Sequence, residues 1–161
     1  MIKKTVLILV LLGLISACSQ KKLTKEESAF IVIKTPTMKY ADMGFISNSP
    51  SLVKVDIYAA GQPLMNFEIN GMNVCMSTFE CMDKKSFNEK ILSSRYPDTI
   101  LENIFRAKPI FDSENLEQDK EGSFRQKLTK EGVYDISYSV NSKQRTFRDK
   151  LNKILIKVRK Q

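Results

Sequence analysis

The chain of 161 residues has no histidine and no tryptophan, and only three cysteines, five prolines and six glycines. Without imidazole there is no Ser-His-Asp or Cys-His pair of the usual kind and no histidine metal ligand, which removes most hydrolase and zinc-enzyme classes. No cluster of residues marks a general acid and base: Asp98 and Glu102 are spaced i, i+4, as is common on solvated helices. We expect a protein that is not an enzyme, with no catalytic residue, no metal and no cofactor.

Acidic residues are the scarcer charge, 18 against 26 Lys and Arg, for a net charge of +8. The excess is local. Between Lys143 and Gln161 eight basic residues face a single acid, Asp149, and Lys3 and Lys4 supply two more positive charges at the other end. The remainder is close to neutral. The C-terminal cations suit an anionic surface or partner, or else, as Lys157 and Arg159 on a solvated strand face, protect a sheet edge from aggregation.

Long apolar runs are also missing, apart from Val6–Leu14 at the N-terminus. That run follows Lys3 and Lys4 and precedes the small residues Ser16 and Ala17, the pattern of a secretory signal; it is shorter than the about 20 residues a spanning helix needs. Ile15-Ser16-Ala17-Cys18 resembles the bacterial lipobox. The resemblance implies a signal peptide over residues 1–17, cleavage before Cys18 and acylation of Cys18. Several acyl chains on one residue give stable anchoring where a single one is marginal. Ser19 at the following position, in place of aspartate, favours the outer membrane under the enteric sorting rule. Residues 18–28 (CSQKKLTKEES) then read as a lipidated polar linker and 29–161 as one β-rich domain. Such a protein faces the periplasm, and nucleic acid is not expected as a partner.

The body is dominated by two-residue alternation, the period of half-buried strands. Val53, Val55 and Ile57 alternate with polar residues. So do Met65, Phe67 and Ile69, and, beyond Asn70-Gly71, Met72, Val74 and Met76. A two-residue Asn-Gly loop of type I′ would set Ile69 opposite Met72, Phe67 opposite Val74 and Met65 opposite Met76, with Cys75 on the other face beside Asn66. Cys75 and Cys81 would lie about 20 Å apart along one straight strand. A bridge between them needs a reversal at Ser77–Glu80; without one they are free buried thiols.

The period then becomes helical. Ser86-Phe87-Asn88-Glu89 fits a capping box, and Ile100, Leu101, Ile104 and Phe105 share one face of a second helix that opens at Pro97-Asp98-Thr99 and stops before Pro109. Residues 112–122 read as an acidic loop. Alternation resumes at Phe124–Leu128, Tyr134–Val140 and Ile154–Val158, whereas 141–153 is polar around Phe147 and Leu151. The plan is α+β, an antiparallel sheet whose inner face is covered by two short helices. The space between them is either a filled core or an apolar site lined by Met65, Phe67, Ile69, Met72, Val74, Met76, Ile100, Leu101, Ile104 and Phe105.

The lipobox, the linker, the strand ending in Tyr58-Ala-Ala-Gly-Gln-Pro-Leu64, the hairpin around Asn70-Gly71 and the helix pair over 86–107 together resemble the LolA/LolB-like half-barrel proteins, in their lipidated, LolB-like form. The resemblance implies a curved antiparallel half-barrel with a helical lid and an apolar cavity for the acyl chains of lipoproteins. It also implies delivery to the membrane through an exposed leucine, for which Leu64 is the match by position, and exchange with a periplasmic carrier. The absence of tryptophan and the more basic C-terminal strands depart from that family. The competing expectation is a structural or assembly lipoprotein that holds an envelope protein or polymer through its sheet edge and basic C-terminal segment.

Overall fold

A computed structural model describes residues 25–77 and 80–161. The expected signal peptide, Cys18, Ser19 and the first part of the linker lie outside the described residues, as do Thr78 and Phe79 of the expected reversal.

Eleven strands form one open antiparallel sheet. The first six are β1 (Lys25–Lys34), β2 (Lys39–Asn48), β3 (Leu52–Ala59), β4 (Gln62–Asn70), β5 (Asn73–Met76) and β6 (Glu80–Asp83). Helices α1 (Lys84–Ile91) and α2 (Ile100–Arg106) follow, then β7 (Leu116–Gln118), β8 (Phe124–Lys130), β9 (Tyr134–Val140), β10 (Gln144–Asp149) and β11 (Ile154–Lys160). Each run of strands is a meander, and antiparallel pairing of β1 with β11 joins the two, giving the order β6-β5-β4-β3-β2-β1-β11-β10-β9-β8-β7. Both edges are short strands, and the helical segment connects them. Short edges limit the backbone left open to foreign strands.

The alternating apolar residues define the buried face. Ile31 and Ile33 of β1, Val53, Val55 and Ile57 of β3, Phe67 and Ile69 of β4, and Ile154, Ile156 and Val158 of β11 belong to one core cluster. Phe87 of α1 and Ile100, Leu101, Ile104 and Phe105 of α2 belong to the same cluster. Phe67 meets Phe87 edge to face, with ring centroids 6.4 Å apart, an arrangement favoured by the ring quadrupoles. Gly44 is needed for close strand approach: a Cβ there would stand 2.2 Å from the Asp56 carbonyl oxygen.

Five expectations are corrected. The Asn70-Gly71 hairpin pairs Ile69 with Val74 and Phe67 with Met76, so the loop spans four residues and Met72 is 77% exposed in it. Asn70 Oδ1 accepts the N–H groups of Met72 and Asn73 at 2.9 and 2.8 Å, and Gly71 does not adopt the positive φ that a type I′ turn requires. The side-chain cap replaces the tight turn.

β1 begins at Lys25, inside the segment read as linker, because its backbone pairs with β2 as far as Asn48 whatever its side chains are. The first helix opens at Lys84 on the cap Asp83, whose carboxylate accepts the Ser86 N–H at 2.8 Å; Ser86 is the third helical residue and not the cap. β7 forms within 112–122, read as a loop, and β10 within 141–153, read only as a polar stretch with no element assigned. Finally, β11 lies between β1 and β10, so Lys157 and Arg159 protect no edge.

Candidate functional site

The apolar residues nominated from the sequence come together with one exception. Phe67, Ile69, Val74, Met76, Ile100, Leu101, Ile104 and Phe105 are all buried members of the core, and Met65 packs against it half-buried. Met72 is the exception. The side chains of sheet and helices fill the space between them at these positions.

Polar ties hold the helical segment to the sheet. Tyr96, just after α1, donates its hydroxyl to Asp149 Oδ2 of β10 at 2.5 Å. Asp149 also accepts from Asn152 Nδ2 at 2.7 Å and, through Oδ1, from the N–H groups of Asp135, Leu151 and Asn152 at 3.1, 2.9 and 3.1 Å. Burial alone would raise the Asp149 pKa; the hydrogen bonds from Tyr96, Asn152 and the backbone outweigh it and hold the carboxyl below its ordinary value. Burial, then the Asp149 carboxylate, push the Tyr96 phenol well above its own.

Beyond α2, Gln126 of β8 accepts the Ile110 N–H at 2.8 Å and donates to the carbonyls of Ile110 and Glu114 at 2.9 and 2.7 Å. It brackets a turn in which Phe111, Asp112 and Ser113 all have left-handed φ of 47 to 67°. That conformation is unfavourable for residues with a Cβ, so the side chain supports a strained turn.

Within the helical segment, Glu102 of α2 meets Lys84 Nζ of α1 at 2.8 Å and Arg106 Nε at 2.9 Å. Desolvation acts to raise the Glu102 pKa, but the two cations lower it overall. Asn88 Nδ2 donates to the carbonyls of Tyr96 and Pro97 at 3.3 and 3.2 Å, closing the turn between the helices.

Leu64 stands on β4 and not in the connecting loop. Ala60 and Gly61 form the turn, with φ of 49 and 78°. Tyr58 pairs with Pro63 and Ile57 with Met65, which leaves Leu64 as the extra residue of a β-bulge, 47% exposed. A bulge re-aims its side chain, and here it presents a leucine to solvent. Leu64 borders a concavity of about 550 Å³ on the sheet's other face, lined also by Asp56, Asn66, Glu68, Cys75 and Cys81.

Cys75 and Cys81 form a disulfide. They oppose each other directly in the β5–β6 register, with Cα atoms 3.9 Å apart, and Cys75 neighbours Glu68 on β4 where Asn66 was expected.

The basic C-terminal segment divides between the two faces. Arg159 lies over the Phe30 ring at 5.6 Å on the outer face, within reach of a cation–π contact. Arg145 points inward, 3% exposed, with Nη1 2.9 Å from Glu27 Oε1; Lys160 Nζ is 3.5 Å from the other oxygen of Glu27. Burial raises the pKa of neighbouring Tyr138, partly offset by Arg145.

Sequence reasoning passed over Arg145, Asp149, Tyr96, Tyr138 and Gln126. Parity carried a signal for three of them, since Arg145 and Asp149 flank Phe147 at two-residue spacing and Gln126 is in step with Leu128. A polar residue in an apolar register is a candidate buried contact. Among the described residues no group of three or more His, Cys, Asp or Glu side chains is placed to hold a metal, and no helix is long and apolar enough to cross a membrane. In comparison with known proteins, the sequence matches no family model and, at a significant level, no curated protein.

Proposed function

We propose that the protein is a LolB-like lipoprotein, anchored through Cys18 in the outer membrane and facing the periplasm, that binds acyl chains or lipidated proteins. In this reading the sheet curves into a half-barrel, the two helices cover its inner face, and lipoproteins arrive from a periplasmic carrier. The supporting observation is the position of α2. Ile100, Leu101, Ile104 and Phe105 form an apolar face joined to the sheet's core, in a segment strung between the two sheet edges and tied by a few polar contacts. Acyl chains enter by displacing α2 and replacing its side chains against the core face of β3, Val53, Val55 and Ile57. Burial of each methylene contributes about 0.8 kcal/mol, set against the burial that the α2 side chains give up. Leu64 on its bulge is the membrane contact.

The exposed apolar residues of the outer face favour a second reading, a structural lipoprotein that holds an envelope protein or polymer. Met43 and Phe45 of β2 are exposed, Phe45 meets Tyr58 edge to face at 5.9 Å, and Met43 opposes Phe30, whose ring carries Arg159. Photo-crosslinking in cells separates the readings. A crosslinker at Phe105 captures many different lipoproteins if the first is right. One stoichiometric partner captured only from Phe45 supports the second.

A further inference from the structure

The buried face carries a guanidinium with two unpartnered nitrogens next to an unused hydroxyl. Arg145 is 3% exposed and only its Nη1 has a partner, Glu27; Nε and Nη2, both inaccessible to solvent, have none among the described residues. Tyr138 is 1% exposed, and its hydroxyl likewise has no partner. Tyr138 pairs with Phe147 in the register and Arg145 with Val140, so the two side chains are diagonal neighbours on one face of β9 and β10. The charged groups facing them are Glu27 of β1 and Lys160 of β11, two cations with Arg145 against one carboxylate. A buried guanidinium with two unused donor nitrogens is costly unless something accepts from them.

We infer that Arg145 and Tyr138 form a recognition site for an anionic head group, a carboxylate or phosphate that accepts from Arg145 Nε and Nη2 and from Tyr138 Oη. The Nε and Nη2 edge of a guanidinium is the fork that matches two oxygens of such a group. At the same end of the strands Lys143, Gln144, Arg159 and Lys160 line a concavity of about 780 Å³, a rim of three cations against the one acid Glu121; Arg145 and Tyr138 are buried outside its lining. The rim draws anions and the buried pair reads them. An amphiphile would lay its chain along the apolar face already described, and in that form the inference rests on the acyl-binding reading; a free anion would not need it.

The test is calorimetric titration of the chain from Ser19 to Gln161, which contains every described element, with oleate, oleyl alcohol and inorganic phosphate in separate arms. Saturable binding of oleate stronger than that of the alcohol identifies an amphiphile, and saturable binding of phosphate a free anion. Tyr138→Phe removes only a hydroxyl without a protein partner, so its melting temperature equals or exceeds that of the parent while anion binding weakens about tenfold, the effect of one charge-assisted hydrogen bond. Arg145→Lys keeps the charge opposite Glu27 but loses the fork, and weakens binding by at least as much. Oleate and oleyl alcohol bound equally, or Tyr138→Phe binding like the parent, overturns the inference and leaves the acyl-binding reading intact. Phosphate bound without any uptake of oleate or alcohol upholds the inference while the acyl-binding reading fails, and no binding of any of the three overturns both.

Discussion

Tyr96 and Asp149 lie 53 residues apart in the chain, and their side chains meet at 2.5 Å beneath the surface, joining the turn between the helices to β10. This contact carries a specific cost. Tyr96→Phe keeps the ring and its edge contacts with Phe111 and Phe147 but deletes one donor to a buried carboxylate. We expect a loss of about 1.5–3 kcal/mol, read from the urea midpoint, together with faster hydrogen exchange across α1 and α2 than across β1–β3.

Asp149 and Glu102 both have carboxyl pKa values lowered by folding, against the desolvation that acts to raise them. The folded state therefore binds fewer protons than the unfolded chain. Their contribution is complete above the ordinary carboxylate range and is lost as pH falls through the lowered folded values. Melting temperature should be flat from pH 7 to about 5 and then fall, with a shallower fall in Asp149→Asn, itself less stable at neutral pH.

The pairing of Ile69 with Val74 makes different predictions for Ile69, which precedes the loop, and Met72, which lies within it. Ile69→Ala opens the core and should cost about 2–5 kcal/mol, whereas Met72→Lys lies at an exposed position and should stay within about 0.5 kcal/mol. Equal costs in denaturant titrations would mean that the hairpin has the two-residue register after all.

The Cys75–Cys81 bridge closes a short loop at a sheet edge. Reduction should lower stability by about 2 kcal/mol in the chain-entropy account and leave the far-ultraviolet spectrum native, since the β5–β6 ladder keeps its hydrogen bonds. Thiol titration before and after unfolding, with the urea midpoint in each redox state, measures it.

Gly44→Ala forces a methyl group toward the Asp56 carbonyl. Both sides of that contact are backbone, so β2 and β3 must move apart. We expect a loss of at least about 1–3 kcal/mol from overpacking, measured by thermal unfolding.

Much of this fold was legible because strand alternation is a direct record of burial. Val53–Ile57, Phe67–Ile69 and Ile154–Val158 face the core as their spacing says, and Ile100, Leu101, Ile104 and Phe105 share the buried face of α2. β10 was hidden because its inward positions are Arg145, Phe147 and Asp149, whose charged members meet Glu27 of β1 and Tyr96 from distant parts of the chain. The hairpin was misread because Asn70 can cap a wider loop with its own side chain as readily as it enters a type I′ turn. β7 and the N-terminal half of β1 owe their pairing to backbone, which composition does not report.

Binding of apolar chains between α2 and the sheet can be followed by titrating the chain from Ser19 to Gln161 with a fluorescent fatty acid while recording exchange of the α2 amides. We predict saturable uptake, displaced by an unlabelled acyl chain, with loss of protection confined to residues 84–110. Uptake that does not saturate, or saturable uptake that leaves α2 protected, would contradict it.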